Sequence, residues 1–163
     1  MEVIGYKCFN KDFTNRYGSK FEVGNTYIAN GKIKFGNNGN GFHLCKNFED
    51  TFRYFDAMND DIKLCLVKGS GKIAESFDDY YGYYDMYSVE KLEILKDLSR
   101  KEIIKLAISL NESRVERFIS LFRLTEEELE LFKYKFNKYK RVLEAISYYQ
   151  EENKNVYKKT LRK

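Results

Sequence analysis

The stretch Asn40-Gly41-Phe42-His43-Leu44-Cys45-Lys46-Asn47 contains the only histidine of the chain and one of its three cysteines. Phe42 and Leu44 alternate with His43 and Cys45 along it. Successive side chains of a β-strand point to opposite faces, so a strand here separates the two pairs. We therefore predict a strand that turns Phe42 and Leu44 to the core and leaves an imidazole and a thiol on the other face.

The sequence on both sides of this strand predicts a small antiparallel sheet with one packed helix. Short apolar stretches alternate with turns that contain glycine or asparagine, and Asn30-Gly31 is the strongest hairpin signal among them. Ile62–Val67 is the most apolar stretch and should be the central strand, followed by a turn at Gly69-Ser70-Gly71. Asn47 is a good N-cap for a helix whose phenylalanines, at helical spacing, should pack on the Phe42 and Leu44 face. These phenylalanines are Phe48, Phe52 and Phe55.

The C-terminal part of the chain has helical periodicity. Capping boxes begin at Ser99 and at Thr125, each with glutamate three residues later. The second opens a long predicted helix with a heptad-type apolar seam, formed by Leu129, Phe132, Phe136, Tyr139, Leu143 and Ile146. Either the two preceding helices or a second copy of the chain must cover this seam, and we favour the first, with a monomer. The predicted class is α+β, with an α+β domain over 1–98 and a three-helix subdomain over 99–163.

Composition and charge limit the classes of protein. At 163 residues with 43% hydrophobic residues, the chain can bury enough surface to fold. The start Met1-Glu2-Val3-Ile4 has no basic region and no long apolar stretch, so we expect no secretory leader. No apolar window reaches membrane length, and three cysteines without paired spacing suit a reducing compartment. We expect a cytoplasmic protein that does not associate with membranes. Residues 97–163 carry 16 Lys and Arg against 11 Asp and Glu, so nucleic-acid binding through a basic C-terminal tail is an open alternative.

Two kinds of chemistry can be weighed at His43. His43 with Cys8, Cys45 and Cys65 could make a tetrahedral zinc site, but the chain lacks a C-x2-C ligand pair and we predict no metal. A nucleophilic Cys–His dyad needs a third residue that orients the base, and two neighbours on one strand are an unspecific signal for it. We expect His43 to be structural.

A tyrosine-rich segment follows the central strands. It begins at Phe77 and has no secondary-structure period, so it should be a loop. Tyrosine supplies contact area at low entropic cost, which makes the loop a candidate surface for binding another protein. Packing of these tyrosines on the sheet edge is the alternative. The candidate partner-binding residues are Asp78, Asp79, Tyr80, Tyr81, Tyr83, Tyr84, Asp85 and Tyr87.

Three motifs resemble a family of small uncharacterised domains frequent in bacterial prophages. They are Gly5-Tyr6-Lys7-x-Phe9, Phe21-Glu22-Val23-Gly24-x-x-Tyr27 and Gly41-Phe42-His43-x-Cys45, with Tyr54 in the following helix. The resemblance covers about residues 4–98, and Phe21 and Phe55 stand where the family usually has tyrosine. It implies a phage-associated setting without an established activity. We expect a non-enzymatic interaction protein that acts on a host component and needs no cofactor.

A weaker similarity connects the chain with ADP-ribosyltransferase-like folds. It implies an alternative in which Tyr6 or Lys7 and His43 line a cleft for NAD. Glu90 or Glu93, on a late strand, would then orient the ribose. The chain would be such an enzyme or a degenerate relative of one.

Overall fold

The computed structural model describes residues 1–36, 39–55, 62–76 and 85–160, without the side chains of 155–160. The chain divides into two compact units, the first within residues 1–99 and the second from Arg100 onward. The first unit contains an antiparallel sheet and a short 3₁₀ helix, and the second is helical. The predicted α+β class, with a helical C-terminal part, is confirmed.

The sheet contains five strands in the described residues, and four of these strands pair in a closed arrangement. β3 pairs with both β1 and β5, and β4 also pairs with both β1 and β5, so these four strands form a closed ring. β2 pairs with residues 91–93 of β5, on the same edge of β5 as β3 and beyond the end of β3. The strands are β1 (Glu2–Asn10), β2 (Thr26–Ile28), β3 (Phe42–Cys45), β4 (Ile62–Glu75) and β5 (Met86–Asp97).

The interior of the ring is the core of the first unit. Alternation along β1 turns Gly5, Lys7 and Phe9 inward, opposite Val67, Cys65 and Lys63 of β4. β3 contributes Leu44, which is 1% exposed. An added Cβ on Gly5 would lie 2.3 Å from the Cys45 carbonyl oxygen and 2.5 Å from Leu44 Cδ1, so glycine permits the close approach of β1 and β3. The buried side chains of this core are Phe9, Phe21, Leu44, Cys65, Val67, Val89, Leu92 and Ile94.

The outer face of β1 and β3 is covered by the 3₁₀ helix Phe48–Tyr54. Asn47 and Asp50 form a capping box at its start, as Asn47 at the N-cap position predicts. Phe48 packs edge-on against Tyr6 at 6.1 Å between ring centroids, while Phe42 contacts Phe21 on the inner side. The prediction that the phenylalanines of this helix pack on the Phe42 and Leu44 face is therefore wrong, because the two sets lie on opposite faces of the sheet.

Two predicted turns also differ from the structure. Asn30-Gly31 does not join two paired strands, since Ile33 instead makes an isolated parallel bridge to Asn40. Gly69-Ser70-Gly71 lies inside β4, where a register shift between Ser70 and Ile73 accommodates it. Both signals are local, and strand pairing with distant residues overrides them.

The second unit contains four helices in the described residues. α1 is Arg100–Ile108, α2 is Glu112–Leu121, α3 is Glu126–Lys135 and α4 is Lys140–Thr160. Asn111 and Thr125 cap α2 and α3 through side-chain oxygens that accept from Arg114 N at 3.1 Å and Glu128 N at 3.2 Å. Phe118 of α2 stacks on Phe122 at 4.8 Å and contacts Phe132 of α3 at 5.9 Å. These rings form the centre of the helical core.

The single long helix predicted from the apolar seam is two helices in the structure. α3 ends at Lys135, and the bond from Tyr139 N to Phe136 O, 3.0 Å long, closes a turn before α4 begins. The break changes which side chains are buried: Tyr139 is 45% exposed and Val142 is fully buried. A straight helix would hold α3 and α4 on one axis, whereas the turn lets both pack their apolar faces into the same core. Leu129, Phe132, Phe136 and Ile146 are buried within the chain.

Candidate functional site

The candidate site lies where β1 and β3 meet. Tyr6 and Cys45 are paired residues of these strands. The Lys7 ammonium donates a hydrogen bond of 2.6 Å to the main-chain oxygen of His43, and it lies 5.7 Å from the centre of the Phe9 ring. The structure thus brings Lys7 and His43 together, through a side chain of one and the backbone of the other.

His43 is held between β5 and an aromatic neighbour. It pairs with Ser88, which is fully buried and whose hydroxyl donates to the Asn40 carbonyl oxygen at 3.3 Å. The imidazole lies against the Phe35 ring, with 4.8 Å between ring centres. Burial, and then the positive charges of Lys7 and Arg16, lower the pKa of His43 to about 4. The imidazole is therefore neutral at physiological pH.

Lys7 and the thiols near it are also perturbed by burial. Burial lowers the pKa of the Lys7 ammonium. Burial raises the pKa of the Cys45 thiol to about 12, and it raises the pKa of Cys8 as well. Because the thiolate is the nucleophilic form of cysteine, Cys45 is poorly suited to attack a substrate at neutral pH. The raised pKa of the Cys45 thiol therefore counts against a Cys–His dyad.

Tyr6 and Lys7 are on opposite faces of β1. Lys7 points into the ring of strands, whereas Tyr6 packs against Phe48 of the 3₁₀ helix. Burial, with a smaller contribution from Glu49, raises the pKa of the Tyr6 phenol. Of the two residues predicted as alternatives beside His43, the structure places Lys7 against the backbone of His43 and Tyr6 under the helix.

Glu90 and Glu93 lie on β5, and both side chains engage β4. The Glu93 carboxylate makes an ion pair with Lys68 Nζ at 2.7 Å. The Glu90 carboxylate accepts a hydrogen bond of 3.0 Å from Lys72 N. β4 borders β5 on the edge opposite β3, the strand of His43, so the contact partners of both carboxylates lie across β5 from that strand. The structure thus brings Lys7 to the backbone of His43 and engages Glu90 and Glu93 with β4.

The three cysteines are thiols and are divided between the two faces of the sheet. Cys65 is paired with Lys7 and belongs to the inner core, whereas Cys8 and Cys45 lie on the outer face. The four residues that could make a zinc site therefore do not converge. Across the part of the chain that the structure describes, no group of three or more histidine, cysteine or carboxylate side chains is arranged to hold a metal ion.

The tyrosine-rich segment joins β4 to β5, and the structure describes its two ends. Ser76 N donates to Met86 O at 3.1 Å, and Lys46 N donates to Asp85 O at 2.8 Å. Asp85 is exposed and has a positive φ of 52°. Tyr87 is half-buried. The predicted partner-binding residues Asp78, Asp79, Tyr80, Tyr81, Tyr83 and Tyr84 lie outside the described residues.

The base of this segment also contains Lys46, Arg53 and Tyr54, which are not among the predicted partner-binding residues. Lys46 forms an ion pair with Glu75, and its ammonium lies 4.7 Å from the centre of the Tyr87 ring. Arg53 Nη1 is 3.5 Å from Met86 Sδ, and Tyr54 is 44% exposed beside it. We call Lys46, Arg53, Tyr54, Asp85 and Tyr87 the loop-base surface. Of the three added residues, only Tyr54 had a local signal in the sequence, as an aromatic residue with a polar hydroxyl beside the apolar positions Phe52 and Phe55.

These observations define a class of protein: a two-unit α+β chain with a closed aromatic-cored sheet, a half-buried lysine beside its single histidine, and a tyrosine-rich hairpin connection. The chain belongs to the family described as "Domain of unknown function (DUF7666)", which matches residues 3–106. The match covers the sheet unit and most of α1. No curated protein and no solved structure matches the chain significantly. Within the described part of the chain, no helix has both the length and the apolar content needed to cross a membrane.

Proposed function

We propose that this chain is a non-enzymatic protein-interaction module, of the accessory kind carried by phages and prophages, that binds a host protein. The observation that carries the proposal is the tyrosine-rich hairpin connection. Between Asp78 and Tyr87 the sequence has five tyrosines and three aspartates. Tyrosine is enriched at binding surfaces because its ring gives a large contact area and its hydroxyl a hydrogen bond.

The two ends of the connection support this role because they are well anchored. Backbone hydrogen bonds hold Ser76 to Met86 and Lys46 to Asp85, and Met86 is 1% exposed. Binding residues are commonly carried by loops that a rigid scaffold positions. The closed ring of β1, β3, β4 and β5 is such a scaffold, and its longest hairpin carries this segment.

The loop-base surface adds to the contact area, and the aspartates of the tyrosine-rich segment favour a partner with a basic contact region. Tyr54 is exposed next to Met86, and Asp85 lies close enough to Asp50 to help raise the pKa of that carboxyl, although burial is the larger cause. Asp78 and Asp79 add two further negative charges in the sequence. A surface of tyrosines and aspartates complements lysine and arginine side chains through charge and cation–π contacts.

A double variant, Tyr83→Ser with Tyr84→Ser, tests the proposal. The tagged full chain is used to capture proteins from a bacterial lysate, and the captured protein is then purified and its affinity measured by calorimetry. We expect the double variant to keep the wild-type melting temperature and to lose the partner. Tyr17→Ser with Tyr148→Ser is the matched control, because these two tyrosines are 75% and 67% exposed and lie elsewhere. Undiminished affinity of the double variant would contradict the proposal.

One observation favours the alternative of an ADP-ribosyltransferase-like enzyme or a degenerate relative: the contact between Lys7 and the backbone of His43. The contacts of Glu90 and Glu93 with β4 count against it. A ligand that binds only the folded state raises the melting temperature by mass action. Stabilisation by millimolar NAD that is lost in Lys7→Met would favour the enzyme over the interaction module, and an unchanged melting curve would count further against the enzyme.

A further inference from the structure

The turn between α3 and α4 carries a concentrated positive charge. The segment Lys133-Tyr134-Lys135-Phe136-Asn137-Lys138-Tyr139-Lys140-Arg141 has five cationic side chains in nine residues and no carboxylate. We call it the α3–α4 corner. The hydrogen bond from Tyr139 N to Phe136 O makes the chain reverse within a few residues, which keeps the ends of that turn within about 7 Å. The charges are therefore close together in space as well as in sequence.

Much of this charge is available to a ligand. Lys133, Lys140 and Arg141 make ion pairs with Glu130 at 3.0 Å, Glu144 at 3.7 Å and Glu116 at 3.4 Å. Exposed pairs of this kind contribute little and exchange readily with other anions. Lys135 and Lys138 are exposed, and neither is within ion-pair distance of a carboxylate among the residues that the structure describes.

Two tyrosines are exposed among these cations. Tyr134 is 83% exposed, more than any other tyrosine whose side chain is described, and Tyr139 is 45% exposed. Phe136, between them in sequence, is buried and holds the Tyr139 ring in an edge contact at 5.6 Å. Phe136 in turn stacks on the fully buried Phe132 at 6.4 Å. The corner thus presents aromatic rings from a backbone that is fixed by the core of its own unit.

We infer that the α3–α4 corner binds single-stranded nucleic acid. Cations attract the phosphates, and an exposed ring offers a surface on which a base can stack without regard to sequence. Bases in a duplex are already stacked on each other, so exposed tyrosines favour the single strand. A membrane is a poorer fit, because an interfacial helix needs an exposed apolar face and α3 buries Leu129 and Phe132 in its own unit. This inference does not depend on the function proposed for the sheet unit.

The experiment measures fluorescence anisotropy of a labelled 20-nucleotide oligothymidine with the full chain, over a series of salt concentrations. We expect binding that weakens as salt rises, with a log–log slope of about −0.7 for each phosphate neutralised. Lys135→Gln with Lys138→Gln should weaken binding and make this slope shallower by about 1.4, which is about 0.7 for each lysine removed. Tyr134→Ala should weaken binding roughly tenfold and leave the slope unchanged, because it removes stacking rather than charge. An oligoadenosine RNA of equal length should bind with a similar dependence on Tyr134.

Matched controls remove equal charge or an equal ring elsewhere in the helical unit. Lys101→Gln with Lys105→Gln neutralises two exposed lysines of α1, and Tyr148→Ala removes a tyrosine that is 67% exposed on α4. Both should bind as the wild type does. The inference is overturned if the oligonucleotide does not bind at low salt, or if the corner variants and the controls bind alike. It is also overturned if a duplex of the same length binds more tightly, or if only anionic phosphatidylserine vesicles bind.

Discussion

The single histidine allows a direct test of the environment between β1 and β3. Burial and the charges of Lys7 and Arg16 lower the pKa of His43 to about 4, against an ordinary value of about 6.5. The Hε1 proton of this imidazole should therefore titrate in NMR spectra of an untagged sample with a midpoint near pH 4. At pH 5.5 a group with the shifted pKa is roughly 3% protonated, whereas an unperturbed histidine is about 90% protonated. A midpoint near 6.5 would refute the half-buried position of His43 between β1 and β3.

The contribution of Lys7 can be separated from that of burial. Lys7→Met removes the positive charge and the hydrogen bond to His43 O but keeps an apolar side chain of similar length. The pKa of His43 should rise in this variant, and it should stay below 6.5 because burial is the larger cause. Lys91→Met, an exposed lysine on β5, is the control and should leave the titration unchanged. An equal His43 midpoint in Lys7→Met and wild type would contradict the proximity of the two groups.

The same shift makes stability depend on pH. His43 binds a proton at about pH 6.5 in the unfolded state but only near pH 4 in the folded state. The contribution of His43 to the unfolding free energy is therefore complete above pH 6.5, and it is lost as the pH falls toward 4. Between pH 7 and pH 5.5 the wild type should lose about 1 kcal/mol of unfolding free energy through His43. Urea unfolding of wild type and His43→Gln at both pH values isolates this amount. An equal loss in both proteins would refute the linkage.

Two further predictions concern packing in the first unit. Phe52→Ala should lower the unfolding free energy by about 3–5 kcal/mol, because Phe52 is 1% exposed and contacts Phe48 and Phe55. Tyr54→Ala, at a half-exposed position, is the control and should lower the unfolding free energy much less in the same thermal melts. Gly5→Ala should lower the unfolding free energy by about 1–3 kcal/mol, since the added Cβ would clash with the Cys45 carbonyl oxygen. Ile4→Ala, at an exposed position of the same strand, is the control. Equal melting temperatures for variant and control would contradict either prediction.

Much of the fold could be predicted because the relevant signals are local. The alternation of Phe42 and Leu44 with His43 and Cys45 identified β3, and the capping residues Ser99 and Thr125 identified the starts of α1 and α3. These patterns act through backbone geometry and hydrogen bonds within a few residues. The α+β class follows from them directly.

The candidate site was predictable only in part. The sequence singled out Lys7 and His43, but it also offered Glu90 and Glu93, whose carboxylates turn to Lys72 N and Lys68 on β4. Which strands border β5 on each side depends on contacts between residues far apart in the chain. No pattern of spacing encodes those contacts.

What the sequence by itself determined is where strands and helices form, since periodicity and capping are properties of neighbouring residues. Only the tertiary structure decided that four strands close into a ring, that the Phe136–Tyr139 turn divides the long helix, and that His43 is half-buried beside Lys7. The physical reason is that each depends on burial against distant residues. A continuous seam from Leu129 to Ile146 is compatible with one helix or two, and the packing of both halves on α2 and each other selects two.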